Sequence, residues 1–199
     1  VGDDIRKWHI RNKNQWLIFT RRGIKIDHYP AIKAHLDQWR EDLTPKIGSA
    51  KKGRKPGRYQ WYEIQDDVAY YESFQKPKIV YPDIAKEARF AFDSQCLYLG
   101  NTVYFIVSDD LFLLGVLNSS IIWTFCKETF SVLGDADKGG RLRFFRQFVS
   151  QLPIPPASPA QKATIETLVS YILHLTPRLQ TGPSDPTAQN QPATDRVMV

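Results

Sequence analysis

The chain has 199 residues, of which 42% are hydrophobic and 13% aromatic, a composition that excludes a disordered protein and suits one globular domain with a small appendage. The net charge of +6 is compatible with an anionic partner. Cys96 and Cys126 form no Cys-x-x-Cys pair and the four histidines lack metal-ligand spacing, so we expect no disulfide framework and no metal site. We see no signal peptide and no run of about 18 apolar residues, and therefore expect a cytoplasmic protein with no membrane partner.

The first predicted elements are a strand and a helix. Residues 15–19 are mostly apolar or aromatic, which is typical of a strand. Pro30 suits the first turn of a helix, where the missing N–H of proline is not needed. Apolar residues then recur every three to four positions, as on one face of a helix; they are Ile32, Leu36, Trp39 and Leu43. The sequence therefore predicts an amphipathic helix that begins at Pro30 and stops at Pro45.

A basic segment follows at residues 46–58, with six basic residues and no acid. Its glycines and prolines predict a mobile loop. Such a loop is either a solvated surface loop or one that contacts the phosphates of a polyanion. The candidates for phosphate contacts are Lys51, Lys52, Arg54, Lys55 and Arg58. Gln60 and Tyr62 follow as weaker candidates for groove contacts, that is, contacts with the base edges of a nucleic acid. Aromatic residues beside a strand nevertheless more often belong to a core.

Residues 74–92 predict a β-hairpin. Residues 78–81 have the β-branched and aromatic content of a buried strand, and a proline on either side bounds it. A second strand is predicted at residues 89–92 and a further strong one at residues 102–107. Short strands joined by tight turns predict a mainly antiparallel sheet.

Two helices are predicted in the second half of the chain. Residues 111–125 are apolar nearly all round, which predicts a buried helix, and a serine or aspartate among Ser108, Asp109 and Asp110 is a suitable cap. Ser158 and Gln161 have the spacing of a capping box and open a last helix, predicted to run to about Leu175. The chain beyond it is rich in Pro, Thr, Gln, Ser and Asp, a composition typical of disorder.

Between these helices lies a second basic segment, residues 138–148. Two adjacent glycines in it permit a close approach to a ligand. Arg141, Arg143 and Phe145 alternate with Leu142, Phe144 and Arg146, and the aromatic residues can anchor the segment. The three arginines are weaker candidates for groove contacts with a nucleic acid, because arginine forks pair with phosphates or guanine edges. The alternative is a hairpin or helix entry whose arginines are simply hydrated.

The sequence contains none of the common catalytic motifs: no Gly-x-Gly-x-x-Gly, no Walker loop, no Gly-x-Ser-x-Gly and no His-Glu-x-x-His. Pro82 and Asp83 resemble the start of a nuclease site, but the acid that follows at Glu87 comes too soon and is paired with Arg89 where lysine is needed. Asp135 and Asp137 would hold a cation only weakly, and we interpret them as a polar loop. We expect no catalytic residue in this chain.

One ordered series of segments carries a family resemblance. The segments are residues 25–36, 61–63, 76–84, 89–91, 101–106, 114–119 and 140–155, which include Lys76-Pro77-Lys78-Ile79-Val80-Tyr81-Pro82-Asp83-Ile84 and Gln151-Leu152-Pro153-Ile154-Pro155. Together, over about residues 15–156, they resemble the TaqI-like C-terminal specificity domain. That domain follows the catalytic domain in many adenine-N6 DNA methyltransferases and in fused type IIG restriction-modification enzymes.

The resemblance implies a target recognition domain over residues 1–156 that reads duplex DNA, followed by a C-terminal helix over residues 157–176 and a disordered tail over residues 177–199. We expect an α+β fold with a mixed, mainly antiparallel sheet packed with buried helices. We also expect this chain to be part of a longer polypeptide, whose N-terminal methyltransferase domain is its partner and binds S-adenosylmethionine, while this chain needs no cofactor. The alternatives are a nuclease or methyltransferase fragment with an unrecognised active site, and a protein-interaction module.

Overall fold

The computed structural model describes residues 1–134 and 140–180, with side chains described through residue 177, and it divides into two compact units. The sheet unit contains Val1–Asn14 and the described residues from Glu72 onward; the loop unit is Gln15–Tyr71. The predicted α+β class is confirmed, because helices accompany sheets whose named strands all pair antiparallel.

Eight short strands lie in the described part of the sheet unit. They are β1 (Ile5–Arg6), β2 (His9–Ile10), β3 (Lys78–Pro82), β4 (Ile84–Ala85), β5 (Ala91–Asp93), β6 (Val103–Val107), β7 (Val132–Leu133) and β8 (Arg141–Arg143). They form a β1–β2 pair and two three-stranded sheets, in the orders β5–β3–β6 and β4–β8–β7.

Six α-helices lie within the described residues. They are α1 (Pro30–Asp37), α2 (Arg40–Leu43), α3 (Leu111–Leu117), α4 (Ser120–Thr129), α5 (Arg146–Val149) and α6 (Pro159–Gln180). Short 3-10 turns occupy Gly2–Asp4, Ile26–His28 and Tyr71–Gln75. No single described helix is long and apolar enough to cross a membrane; α3 and α4 together meet the length and composition only as a pair bent by 56°.

The predicted hairpin is confirmed, and β3 is the central strand of its sheet. All five residues of β3 are buried, and it pairs with β5 on one side and β6 on the other. Pro82 is its last residue and lies opposite Val103. Proline cannot donate to a ladder, so its place at the end of the strand costs little hydrogen bonding.

A buried ion pair joins β3 to β5. Lys78 and Asp93 face each other in register, both side chains are fully buried, and Lys78 Nζ lies 2.6 Å from Asp93 Oδ2. Lys78 Nζ also donates to the carbonyl oxygen of Phe74 at 2.8 Å. The Asp93 carboxylate accepts the backbone N–H groups of Gln95 and Leu97 at 2.8 and 2.9 Å. Each charge therefore has polar partners, which a buried ion requires.

The single apolar helix predicted over residues 111–125 is wrong, because Asn118 divides it into α3 and α4. The buried Asn118 side chain accepts the N–H of Phe90 at 3.2 Å and donates to the carbonyl of Phe90 at 2.9 Å. Asp110 caps α3 as predicted, and the Ser119 hydroxyl caps α4 by accepting the N–H of Ile122. Each helix buries one face, with Phe112, Leu114 and Leu117 in α3 and Ile122 and Cys126 in α4, and Ile121 is exposed. At the break between them, the Asn118 amide satisfies the backbone of a neighbouring segment.

The last helix packs against α3 through a glycine. A Cβ at Gly115 would lie 2.9 Å from Ile165 and 3.0 Å from Val169, so α6 approaches more closely than a larger residue would allow. Val169 is buried there. The helix extends to Gln180, beyond the predicted end near Leu175, and the rest of the tail, residues 181–199, lies outside the described residues.

The capping box of α6 is confirmed and gives a first testable prediction. Ser158 N–H donates to the Gln161 side-chain oxygen at 2.8 Å, and Gln161 N–H donates to the Ser158 hydroxyl at 3.3 Å. We expect Ser158→Ala to lower the free energy of unfolding by about 1 kcal/mol, because one N-terminal amide loses its acceptor. Urea unfolding followed by circular dichroism measures this change, with Ser170→Ala, an exposed mid-helix position, as the control. An unchanged unfolding midpoint for Ser158→Ala would contradict the role of the cap.

In the loop unit the predicted helix begins at Pro30, as expected, but it is interrupted between Asp37 and Arg40. The strand predicted at residues 15–19 is wrong, because that segment has no regular structure and leaves Trp16 62% and Leu17 60% exposed. A strand needs a hydrogen-bonding neighbour. The described loop unit provides only one isolated bridge, between Pro45 and Arg54, and that bridge lies elsewhere.

The two cysteines differ in accessibility. Cys126 in α4 is 1% exposed, and burial raises its pKa to about 12. Cys96 is only partly buried, and its Sγ donates to the carbonyl of Gln75. We expect a thiol reagent to label Cys96 in the folded protein and Cys126 only after unfolding, because the thiolate is the reactive form. Mass spectrometry of the labelled protein checks this; equal labelling rates at both positions would contradict it.

Candidate nucleic-acid interface

The loop unit carries most of the net positive charge of the chain. Between Gln15 and Tyr71 the sequence has eleven lysines and arginines against seven acids, which is +4 of the total +6. The basic loop, residues 46–58, contributes six of these positive charges. This concentration of charge is the electrostatic pattern expected of a surface that contacts phosphates.

The backbone of the basic loop is closed by a short parallel bridge. Arg54 N–H donates to the carbonyl of Thr44 and Lys46 N–H donates to the carbonyl of Arg54, both at 3.0 Å. Gly53 comes immediately before Arg54 of the bridge and has a φ of +102°, a backbone conformation that residues other than glycine rarely adopt. A Cβ at this position would also lie 2.4 Å from the carbonyl oxygen of Thr44, so the loop requires glycine there.

The guanidinium of Arg54 points into the loop unit. Its Nε donates to the carbonyl of Leu43 at 2.6 Å, and its Nη2 donates to the carbonyls of Trp61 and Glu63 at 3.0 and 2.8 Å. Burial is the largest influence on the pKa of Arg54 and places it below the usual value. The structure therefore gives Arg54 internal contacts that its sequence-based interpretation as a phosphate contact did not anticipate.

A second arginine, Arg22, holds the other side of the loop. Its guanidinium donates to the carbonyl oxygens of Arg58 and Gln65. The ring of the buried Tyr59 lies 5.0 Å from the Arg22 guanidinium and 4.8 Å from that of Arg54, within the range of cation–π attraction. The Tyr59 hydroxyl donates to the carbonyl of Lys55.

The buried carboxylate of Glu63 completes this internal network. Its two oxygens accept the N–H groups of Gly23 at 2.7 Å and Gln60 at 2.8 Å. We call Arg22, Arg54, Tyr59 and Glu63 the arginine frame. It joins segments from both ends of the loop unit by hydrogen bonds to main-chain groups.

Three of the predicted phosphate candidates extend into solvent. Lys51, Lys55 and Arg58 are exposed, and the structure gives their side chains no ion pair among the described residues. Lys52 is also exposed but lies 3.1 Å from Glu41, whose hydrogen bond and charge raise the pKa of Lys52. The three exposed side chains are therefore available to an anionic ligand.

The two weaker candidates beside the loop differ in exposure. Gln60 is exposed; its backbone N–H donates to the Glu63 carboxylate and its carbonyl accepts the N–H of Glu63, while none of the described hydrogen bonds involves its side chain. Tyr62 is half-buried with its ring edge-to-face against Trp61, at 5.5 Å between centroids. Trp61 also lies 4.7 Å from the guanidinium of Arg40. Gln60 is therefore better placed than Tyr62 for contacts with a base edge.

An open cleft of about 470 Å³ lies along the basic loop. Lys46, Lys51 and Lys52 line it together with the exposed Ile47. Ammonium groups around a partly apolar cleft suit a phosphate with a sugar or base attached. The Glu41–Lys52 pair lies on the same cleft and offsets part of its charge.

In the sheet unit the second basic segment forms β8 and the start of α5. Arg141 and Arg143 lie two residues apart in β8, so they share one face, while Leu142 is buried on the other. The Arg143 guanidinium lies 5.2 Å from the Phe145 ring, and Arg146 is exposed in α5. Lys138 and Gly139 lie outside the described residues. The predicted alternation of arginines with anchoring residues agrees with this arrangement.

No metal centre accompanies either basic region in the described part of the chain. Residues 1–134 and 140–180 contain no group of three or more His, Cys, Asp or Glu that could hold a metal ion. Asp135 and Asp137, considered above as weak cation ligands, lie outside the described residues.

Sequence reasoning singled out only Arg54 among the four residues of the frame and did not identify Arg22, Tyr59 or Glu63. A signal existed for Glu63, since it is the one acid between residues 46 and 65. A single acid among basic and aromatic residues suggests an internal acceptor, but its partners are backbone amides, which no sequence pattern reveals.

The comparison with known families defines the class of the protein. Residues 1–154 match the model of the TaqI-like C-terminal specificity domain, and the chain belongs to that family. The resemblance noted in the sequence is confirmed, and the match extends it to the first residue.

The similar proteins are longer than this chain. It is 27% identical to the Type II methyltransferase M.BanIII of Aneurinibacillus aneurinilyticus over 77% of its length, and 26% identical to the Type II methyltransferase M.PaeR7I of Pseudomonas aeruginosa over 76%. These matches cover 28% and 26% of the two relatives. The matched part of the chain thus spans about a quarter of the length of each relative.

Proposed function

We propose that this chain recognises a short duplex DNA sequence and positions it for a methyltransferase domain of a longer polypeptide. The observation that carries the proposal is the set of exposed basic side chains without an ion pair among the described residues, Lys51, Lys55 and Arg58; the arginine frame holds the main chain at Lys55 and Arg58. Phosphate contacts of this kind fix the register of a protein on DNA, and a few side chains then read base edges. Gln60, and on the other unit Arg141 and Arg143, are the candidates for base contacts.

The chemistry belongs to the other domain. We propose that it transfers a methyl group from S-adenosylmethionine to adenine N6, either alone or fused to an endonuclease as in type IIG enzymes. The sequence of this chain has no glycine-rich cofactor loop, and we assign the cofactor to the methyltransferase domain. Membership of the specificity-domain family and the similarity to two methyltransferases support the proposal that recognition and methyl transfer belong to different domains.

Fluorescence anisotropy with the purified chain tests DNA binding. We expect binding to labelled duplex that weakens steeply as salt rises, because phosphate contacts release counterions. Incubation with plasmid, magnesium and S-adenosylmethionine is expected to give neither cleavage nor methylation. Binding that is absent, or indifferent to salt, would contradict the proposal; a catalysed reaction would show that the chain contains an unrecognised active site.

One observation favours a protein-interaction module as the second candidate. Leu168, Tyr171 and Leu175 form an exposed apolar stripe on α6. Such stripes are typical of surfaces that dock another protein. This candidate predicts that the chain binds a protein partner, ignores duplex DNA, and is unaffected when the basic loop is changed.

A further inference from the structure

Arg54 differs from its basic neighbours in how its donors are used. Nε has one hydrogen and Nη2 has two, and all three are directed at the carbonyls of Leu43, Trp61 and Glu63. Bidentate binding of a phosphate needs two nitrogens on one edge of the guanidinium, each with a free hydrogen. With Nε and Nη2 engaged, no such edge remains on Arg54.

The same network holds the main chain beside the exposed basic residues. Tyr59, which lies against the Arg54 guanidinium, donates its hydroxyl to the carbonyl of Lys55, and Arg22 donates to the carbonyl of Arg58. Glu63 accepts the N–H of Gln60. The side chains of Lys55, Arg58 and Gln60 are therefore attached to backbone positions that the arginine frame holds.

We propose that Arg54 is a positioning residue, which sets the register of Lys55, Arg58 and Gln60 on the DNA without itself neutralising a phosphate. This deepens the proposed function and rests on it. It also predicts that Arg54 governs discrimination between sequences, whereas the exposed cations govern the salt dependence of binding.

The substitution Arg54→Lys distinguishes a positioning role from a role in supplying charge to a phosphate. Lysine keeps the positive charge but carries one nitrogen, which does not reach three carbonyls arranged around a planar fork. A residue that merely supplied charge to a phosphate would tolerate this change. A positioning residue would not.

The test compares Arg54→Lys with Lys55→Ala, using the duplex most enriched from a random pool and a scrambled duplex of the same composition. For Arg54→Lys we expect the preference for the enriched duplex to fall by at least about tenfold, with the salt slope unchanged. For Lys55→Ala we expect the slope to fall by about 0.9 and the preference to stay within about twofold. Arg11→Lys, an exposed arginine of the sheet unit outside both basic segments, is the matched control and should change neither quantity.

Hydrogen exchange in the DNA-free protein provides an independent measurement. The N–H groups of Lys46 and Arg54, which form the Pro45–Arg54 bridge, should exchange at least about tenfold faster in Arg54→Lys than in the wild type and in Arg11→Lys. Faster exchange with an unchanged duplex preference would overturn the positioning role. So would a lowered salt slope with an intact preference.

The proposed DNA recognition and the positioning role of Arg54 can be disproved separately. If the wild-type chain shows no preference for any duplex, the proposed function is wrong and the DNA role of Arg54 falls with it, even where exchange confirms that Arg54 stabilises the loop. If the wild type does discriminate and Arg54→Lys matches it in preference and exchange, only the positioning role is wrong.

Discussion

Replacing Lys51, Lys55 and Arg58 together by alanine is expected to reduce the slope of log affinity against log salt by about 2.7, because each phosphate contact contributes about 0.9. The three side chains are exposed and are not paired with acids among the described residues, so their charges are available to DNA. The effect on affinity should therefore be largest at low salt. Anisotropy titrations over a series of salt concentrations measure it directly.

The control for this variant removes the same charge elsewhere. Lys76, Lys86 and Lys127 are exposed in the sheet unit and lie outside both basic segments. Their replacement by alanine should leave the slope nearly unchanged if the contacts are local to the loop. Equal losses in the two triple variants would show that only net charge matters, which contradicts an interface on the basic loop.

Lys78→Met is expected to lower the free energy of unfolding by about 3–5 kcal/mol, the cost of leaving a buried charge without its partner. The change leaves the Asp93 carboxylate fully buried, 2.6 Å from where Lys78 Nζ had been. The two backbone N–H groups that Asp93 accepts do not replace a full countercharge. Urea unfolding gives the measurement, with the slope in urea checked for constancy.

The double variant Lys78→Met with Asp93→Asn separates charge from packing. Asparagine is neutral and keeps one oxygen to accept a backbone N–H, so the double variant should be more stable than Lys78→Met alone. A single Lys78→Met variant that costs less than about 1 kcal/mol would contradict the account of the pair as a fully buried, mutually dependent contact.

The sequence predicted elements whose signals are local. The hairpin around β3, strand β6 and the capping box of α6 depend on residue type and spacing within a few positions. The break at Asn118 also had a local signal, since Asn118, Ser119 and Ser120 interrupt an apolar run. The apolar residues on either side nevertheless led to the prediction of one continuous helix.

What the sequence did not predict depends on contacts between distant positions. Residues 15–19 have strand-like composition, but the structure has no strand there. The Lys78–Asp93 pair requires the register of two strands to be known. Arg54 looks like Lys55 in sequence and differs because three carbonyls from two distant segments, one at Leu43 and one at Trp61 and Glu63, surround its guanidinium. Composition located the basic loop; geometry distinguishes the residues that face outward from the one that faces inward.

The central claim is that this specificity domain reads duplex DNA sequence, and selection of bound duplexes from a random pool tests it most directly. The account predicts that repeated rounds with the wild-type chain enrich one short motif, and that the Lys51, Lys55 and Arg58 triple variant retains far less duplex. A pool that stays uniform in sequence after the same rounds would contradict the claim.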